Sequence, residues 1–327
     1  MILILLLVST VSGESAPPLR LDSAIRIASC GPSEDDQVML DRAMHGPSYD
    51  HLGGGFHDRP GGPKRLETNA WFLNALVRSY EGGQDLFVRN VALDVVAFAL
   101  RDLKDAAGAF FRAQGDENSS KYFAFTEAEV RSALGQGKSS EFFEHFALSP
   151  DGFPVLTGSP FGGLAETRQT LVLRRLRRVR LPLDETIDEG GNGVWIGALA
   201  RAAHVFGRHD FLEAARRASR AARGQGPARS GGAAFGLASL ARLDQSETSA
   251  EDASKALDAA IERSPQATAS DLTLLVWSLT DALRVNRSDL RLRQLAHMMR
   301  EVERRFPNSD TLAAARCLNA SVTAKAP

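Results

Sequence analysis

The 327-residue sequence has only two cysteines, Cys30 and Cys317, far apart in the chain. No Cys-x-x-Cys occurs, which excludes a dithiol redox motif and a paired-cysteine zinc site. Tyrosine and tryptophan number three each and β-branched runs are short, so little of the chain favours strands. An excess of one charge is also missing: 39 Lys and Arg against 40 Asp and Glu leave a formal net charge of −1. No global field therefore selects nucleic acid as a partner. The longest apolar run, residues 1–8, is far short of the ~20 residues that a stable membrane span needs. A Gly-x-x-x-x-Gly-Lys phosphate loop is absent, and no motif calls for a cofactor. His204 and His209 have no third ligand at metal spacing and read as structural, so no metal site is expected.

Composition is otherwise that of a globular domain, 43% hydrophobic and 24% charged. The apolar start leads into Ser9, Thr10, Val11, Ser12 and Gly13, the order of a secretory signal, although no Lys or Arg precedes it. Removal is expected between about Gly13 and Pro17. The resulting plan is a signal peptide over 1–16, a linker over 17–35, one domain over 36–320 and a tail over 321–327. Location follows as secreted or periplasmic, otherwise cytoplasmic. Arg20, Asp22 and Arg26 separate the apolar run from Ile27-Ala28-Ser29-Cys30, which argues against a lipoprotein box.

Helical spacing dominates the rest. Leu66, Ala70, Leu73, Leu76 and Tyr80 share one face, as do Val88, Val91, Val95, Ala99 and Leu103. Trp195, Leu199, Ala202 and Phe206 form another, followed by stripes at Leu212, Ala215, Ser219 and Ala222, at Leu272, Leu275, Leu279 and Leu283, and at Leu295, Met298, Val302 and Phe306. Thr126 with Glu129 is a capping box, and Gly135 is placed to end its helix. Ser249, Ser270, Ser288 and Ser309 read as further helix starts. Residues 109–111 and 121–125 flank a polar, Gly-containing stretch and read as one short β-hairpin. An internal echo lays Asn69, Ala75, Leu76 and Arg78 on Asn192, Ala198, Leu199 and Arg201, each copy being a helix, a short loop and a second helix after Asp85 or Asp210. Stacked helical hairpins bury their faces on one another, and closing the array removes its ends.

The most distinctive segment is Tyr49-Asp50-His51-Leu52-Gly53-Gly54-Gly55-Phe56-His57. Its glycines allow close backbone approach, and its histidines can donate, accept or titrate; a tight interhelix loop accounts for the same residues. This segment resembles, nearly word for word, a signature of the thioredoxin-domain-containing (spermatogenesis-associated) protein family. The likeness continues in order through 108–111, 121–126, 142–146, 180–185 and Asn192-Gly193. It covers roughly residues 36–225 and leaves out the family's thioredoxin domain. It implies an all-α fold, an α/α toroid of the six-hairpin-glycosidase type, whole or incomplete, with a small β-hairpin insertion. It also implies a central pocket for a small, sugar-like ligand.

Departures from the family pattern bear on catalysis. Where the family has Pro-His-Phe-Glu-Lys-Met-Leu-Tyr-Asp-Asn, residues 64–73 keep only Glu67 of the polar set, and the lysine of its Asp-Asp-Lys is Thr186 here. These losses remove acid–base machinery, so catalysis is expected to be weak or absent. The alternatives are an active carbohydrate hydrolase or epimerase using Glu67 and Asp184, or a pure interaction scaffold. Expected ligand contacts are Gly53, Gly54, Gly55, His57, Trp71, Glu185 and Asn192; carboxylates near helix starts are equally common as caps and dipole partners, and Trp71 at this spacing equally suits a core. The basic run of Arg174, Arg175, Arg177, Arg178 and Arg180 reads as a solvated helix face. Closing a toroid also brings its first and last helices together, which makes Cys30 and Cys317 eligible to pair after export.

Overall fold

The computed structural model describes residues 21–158, 164–223, 230–244 and 247–323. Helices α1 (Leu21–Cys30), α2 (Glu34–His45), α3 (Leu66–Gly83) and α4 (Leu86–Phe98, running into a π turn at Ala99–Leu103) come first. An insertion follows, carrying α5 (Ser120–Phe123), α6 (Glu127–His145) and α7 (Ala165–Arg175). The chain continues through α8 (Glu189–Phe206), α9 (His209–Arg223), α10 (Gly231–Asp244), α11 (Glu247–Glu262), α12 (Ala269–Val285), α13 (Asp289–Arg305) and α14 (Asp310–Thr323). Packing is circular: α1 lies on α3, α3 on α8, α8 on α10, α10 on α12, α12 on α14, and α14 back on α1. These six form the inner ring, while α4, α9, α11 and α13 lie outside α3, α8, α10 and α12. The molecule is an all-α, α/α toroid, as expected from the residue pattern and the resemblance.

The stripes read from spacing are the core. Leu66, Ala70, Leu73 and Leu76 are buried, as are Val88, Val91, Val95, Ala99 and Leu103, and Leu272, Leu275 and Leu279. The Thr126 capping box forms, with Glu129 returning to the Thr126 amide. Ser288 and Ser309 cap their helices. The start assigned to Ser270 instead lies at Thr268, whose box closes with Asp271, and the one assigned to Ser249 lies inside α11. Gly135 interrupts α6 at φ 72°, ψ 173°, and the helix resumes after it.

Two expectations change. The stretch 17–35 is not a linker throughout: α1 occupies Leu21–Cys30, burying Ala24, Ile25 and Ile27 in the ring. The expected hairpin between 109–111 and 121–125 does not form: residues 120–123 are helical, and Phe110 bridges to Lys104 instead. Side chains at and just after the end of α7 hold that turn: Arg178 donates to the carbonyls of Lys121, Tyr122 and Ala124, and Arg175 to that of Phe123. Strand β1 (Lys64–Arg65) instead pairs with β2 (Ala113–Gln114), which pairs with β5 (Leu183–Asp184). A true hairpin joins β3 (Phe146–Leu148) to β4 (Pro154–Leu156). The disulfide forms between Cys30 of α1 and Cys317 of α14, with Cα atoms 5.2 Å apart, and ties the first inner helix to the last. The signal segment 1–16 lies outside the described residues, and the tail begins as the end of α14.

Candidate functional site

The glycine-rich segment folds over a buried ion cluster. Asp50 Oδ2 accepts from Lys64 Nζ at 2.6 Å and from Arg175 Nη1 at 2.7 Å, and its Oδ1 accepts from the amides of Leu52 and Gly53, each at 3.1 Å. Burial pushes the Asp50 carboxyl up, but Arg175 and Lys64 outweigh it and hold the group ionised, well below the usual range. Lys64 also donates to the Gly54 carbonyl at 2.8 Å and lies over the rings of Phe98 and Phe123. Arg175 is therefore no part of a solvated face.

This cluster explains the motif and revises its role. Gly54 (φ 75°) leaves no room for a methyl, which would sit 2.5 Å from the Asp94 carbonyl oxygen, and one on Gly55 (φ 82°) would meet the Phe98 ring at 2.5 Å. The glycines admit α4, and Gly53 is wrapped on Asp50. His57 is buried, its Nδ1 2.7 Å from the Gly62 carbonyl and its ring edge-on to Phe123. Burial, then Lys64, pulls its pKa down to about 3, so it stays neutral at physiological pH. Asn192 is also buried; its amide clasps both backbone groups of Phe110, at 2.9 and 2.8 Å. Trp71 is in the core near Trp277. None of His57, Asn192 or Trp71 presents a free face to a ligand, because each is consumed by packing or backbone contacts.

Asp184 and Glu185 are on the surface. Asp184 is 3.3 Å from Arg112, and hydrogen bonds from Thr186 lead the causes that hold its carboxyl low. It lies in β5, across β2 from Arg65. Of the expected contacts, His57, Trp71 and Asn192 are buried and so do not border an open pocket.

What does gather is a set of acids at the N-terminal ends of the inner helices. A methyl on Gly232 would sit 2.3 Å from the Gly190 carbonyl oxygen, and one on Gly231 2.7 Å from that of Asp271, so the starts of α8, α10 and α12 meet closely. A methyl on Gly191 would come within 3.9 Å of Glu67 Cβ, which brings in the start of α3. Asp188 caps α8 through the Gly191 amide at 2.6 Å, and Asp271 closes the box on α12. Asp58 is held by Thr68 at 2.6 Å and Arg65 at 2.9 Å.

Glu67 is the exception among these acids. It is open to solvent and has no ion pair or hydrogen bond among the described residues. Crowding by protein raises its pKa first, with Asp188, Asp271 and Asp58 adding to the effect. The Trp71 indole N–H, four residues along the helix, favours the carboxylate but reaches no hydrogen-bond geometry and is buried without a partner. Asp188 and Asp271 were missed from sequence because each reads as an ordinary cap; their convergence is set by the ring. A separate recess of about 270 Å³ between α10 and α13, lined by alanines, Val285 and Leu290, has its one cation, Arg291, paired with Asp258. Among the described residues no group of His, Cys, Asp and Glu is arranged to hold a metal ion.

The fold is found in proteins of distant sequence. The chain superposes on a cellobiose 2-epimerase from Spirochaeta thermophila with a TM-score of 0.57 at 9% identity, covering 94% of this chain and 86% of that one. A GH76 α-mannanase from Bacteroides thetaiotaomicron gives 0.56 at 11% identity, covering 94% and 85%. A sugar epimerase from a ruminal bacterium gives 0.54 at 11% identity, covering 95% and 88%. At these identities the likeness establishes the toroid and nothing about a reaction. No family model and no curated protein matches the chain.

Proposed function

We propose that the protein binds a neutral, sugar-like ligand at the acidic N-terminal end of the inner ring, with Glu67 as its central contact. The observation that carries this reading is Glu67 itself: an unpaired, solvent-open acid with a raised pKa, beside Asp188 and Asp271. A polyhydroxy ligand offers hydroxyl donors to the carboxylates of Glu67, Asp188 and Asp271. An anion meets an unfavourable field there, although each helix start offsets part of it. The kinship of fold with sugar epimerases and a mannanase supports the same class.

Turnover is weak or absent in this reading, and the chain is a partly degenerate member of the thioredoxin-domain-containing family. Asp184 is engaged by Arg112 at the surface, and the family's lysines, absent here, are not available to Glu67 for proton transfer. A raised pKa is nonetheless what a general acid needs, so hydrolysis assisted by Asp188 is the second reading. The Cys30–Cys317 bond supports export to an oxidising compartment.

The experiment is a glycan array followed by calorimetry on the best ligand, with Glu67→Gln and Asp184→Asn alongside. Glu67→Gln should weaken binding about tenfold or more, as loss of a charge-assisted hydrogen bond does, while Asp184→Asn leaves it unchanged. If no neutral sugar binds, or Glu67→Gln binds equally well, the reading is wrong. Glycoside hydrolysis by the parent protein that is lost in Glu67→Gln would establish the second reading.

A further inference from the structure

The segment 173–180 reads Leu-Arg-Arg-Leu-Arg-Arg-Val-Arg, a period of three. Helix α7 ends at Arg175, and the turn after it tightens: the Arg177 amide bonds to the Arg174 carbonyl and the Arg178 amide to that of Arg175. Bonds of that span eclipse side chains three apart. Over 174–178 the sequence period and the backbone period coincide, and the side chains of the segment sort by burial and exposure into three ridges. Arg175 and Arg178 form the inward ridge, fixed to Asp50 and to the carbonyls of Lys121, Tyr122 and Ala124. Leu173, Leu176 and Val179 form a second ridge, exposed by 53, 63 and 89%. They are three of the seven large hydrophobics exposed on the described surface. Arg174, Arg177 and Arg180 form the third, exposed and without an ion pair or side-chain hydrogen bond among the described residues.

We propose that this double ridge seats the protein on an anionic phospholipid surface. The apolar ridge enters the interface between headgroups and acyl chains, and the parallel guanidiniums take lipid phosphates. Several observations favour lipid over a protein partner. Exposure of 89% at Val179 means that the ridge is convex, with no groove beside it to seat a side chain. Three apolar side chains fall well under the roughly 800 Å² that each partner buries in a stable protein interface. Every unpaired polar group on the ridge is a cation, a match for a sheet of phosphates. The buried Arg175 and the partly buried Arg178 anchor the segment, so docking orders little. Because the net charge of the chain is −1, the attraction is local to this patch.

Co-sedimentation of the full chain with vesicles of phosphatidylcholine containing phosphatidylglycerol, against phosphatidylcholine alone, tests this at low and high salt. Binding is expected to the anionic vesicles only and to fall with salt. An arginine near an anionic surface is worth roughly fivefold, so R174Q/R177Q/R180Q should lose about 100-fold. L173S/L176S/V179S should also detach the protein. R287Q/R293Q/R300Q, which removes equal charge from exposed positions on and beside α13, should bind like the parent. All these side chains are at the surface, and circular dichroism confirms each fold. The proposal is overturned if the parent ignores anionic vesicles, or if the two triple-arginine variants bind alike. It is also overturned if sedimentation velocity shows a self-associating protein that Leu176→Ser makes monomeric, since a second copy then covers the ridge.

Discussion

The two copies of the internal repeat share a device and differ in what surrounds it. In the first, Asn69 accepts from the Phe56 amide at 2.7 Å and donates to the Phe56 and Arg65 carbonyls. In the second, Asn192 accepts from the Phe110 amide at 2.9 Å and donates to the Phe110 and Asp188 carbonyls. Each asparagine thus clasps a phenylalanine backbone to the first turn of its helix, 13 residues away in the first copy and 82 in the second. Around the strap the copies diverge. Beneath the first loop lie Asp50, Lys64 and Arg175 with two buried histidines. Beneath the second there is no histidine, and Gly193 replaces Ala70 because α10 presses on α8: a methyl there would sit 2.2 Å from the backbone of Gly232. Glu67 has Gly190 as its counterpart, so the exposed acid is a property of the first copy alone. Repetition preserved a backbone clasp, and the neighbours decided the chemistry.

The comparison can be broken most severely at Asp50. Asp50→Ala leaves Lys64 and Arg175 buried without their carboxylate and should cost about 3–5 kcal/mol, measured by urea denaturation. Urea unfolding with unchanged stability would show that the cluster does not hold the first loop. In the second copy, Gly193→Ala should cost about 1–3 kcal/mol by forcing α10 away, whereas Ala70 already carries that methyl. The clasps should behave alike: Asn69→Ala and Asn192→Ala each strand a buried amide and carbonyl, for about 2 kcal/mol apiece. A large inequality between them would mean that the repeat is one of sequence only.

Acid sharpens the contrast with a smaller effect. His51 and His57 are buried neutral, with desolvation foremost in lowering their pKa to about 4 and about 3. Unfolded histidine titrates near 6.5. Their stability contribution is therefore present above pH 6.5 and is lost as pH falls below it, by about 1 kcal/mol per histidine at pH 5.5. Hydrogen exchange should show the Phe56 loop opening before the Phe110 loop as pH falls from 6.5 to 5.5. Equal opening of the two would contradict the assignment.

The sequence by itself determined the helices, because burial on a helix imposes a spacing that Leu66, Leu73, Leu76, Val88, Val91 and Val95 display directly. It also determined the repeat, since Asn69 and Asn192 do the same backbone work at matching positions, and the Thr126 cap, which is a contact over three residues. It singled out the segment 49–57 but not its purpose, because Asp50, His57 and the glycines take meaning from Lys64, Phe98 and Arg175, up to 125 positions away. Only the tertiary structure decided that the basic run divides into anchors and an exposed ridge, that α1 belongs to the ring through Cys30 and Cys317, and that Glu67 stands with Asp188 and Asp271. The reason is physical: periodicity and capping are local, whereas the company a charged group keeps depends on which helix ends the closed ring brings together.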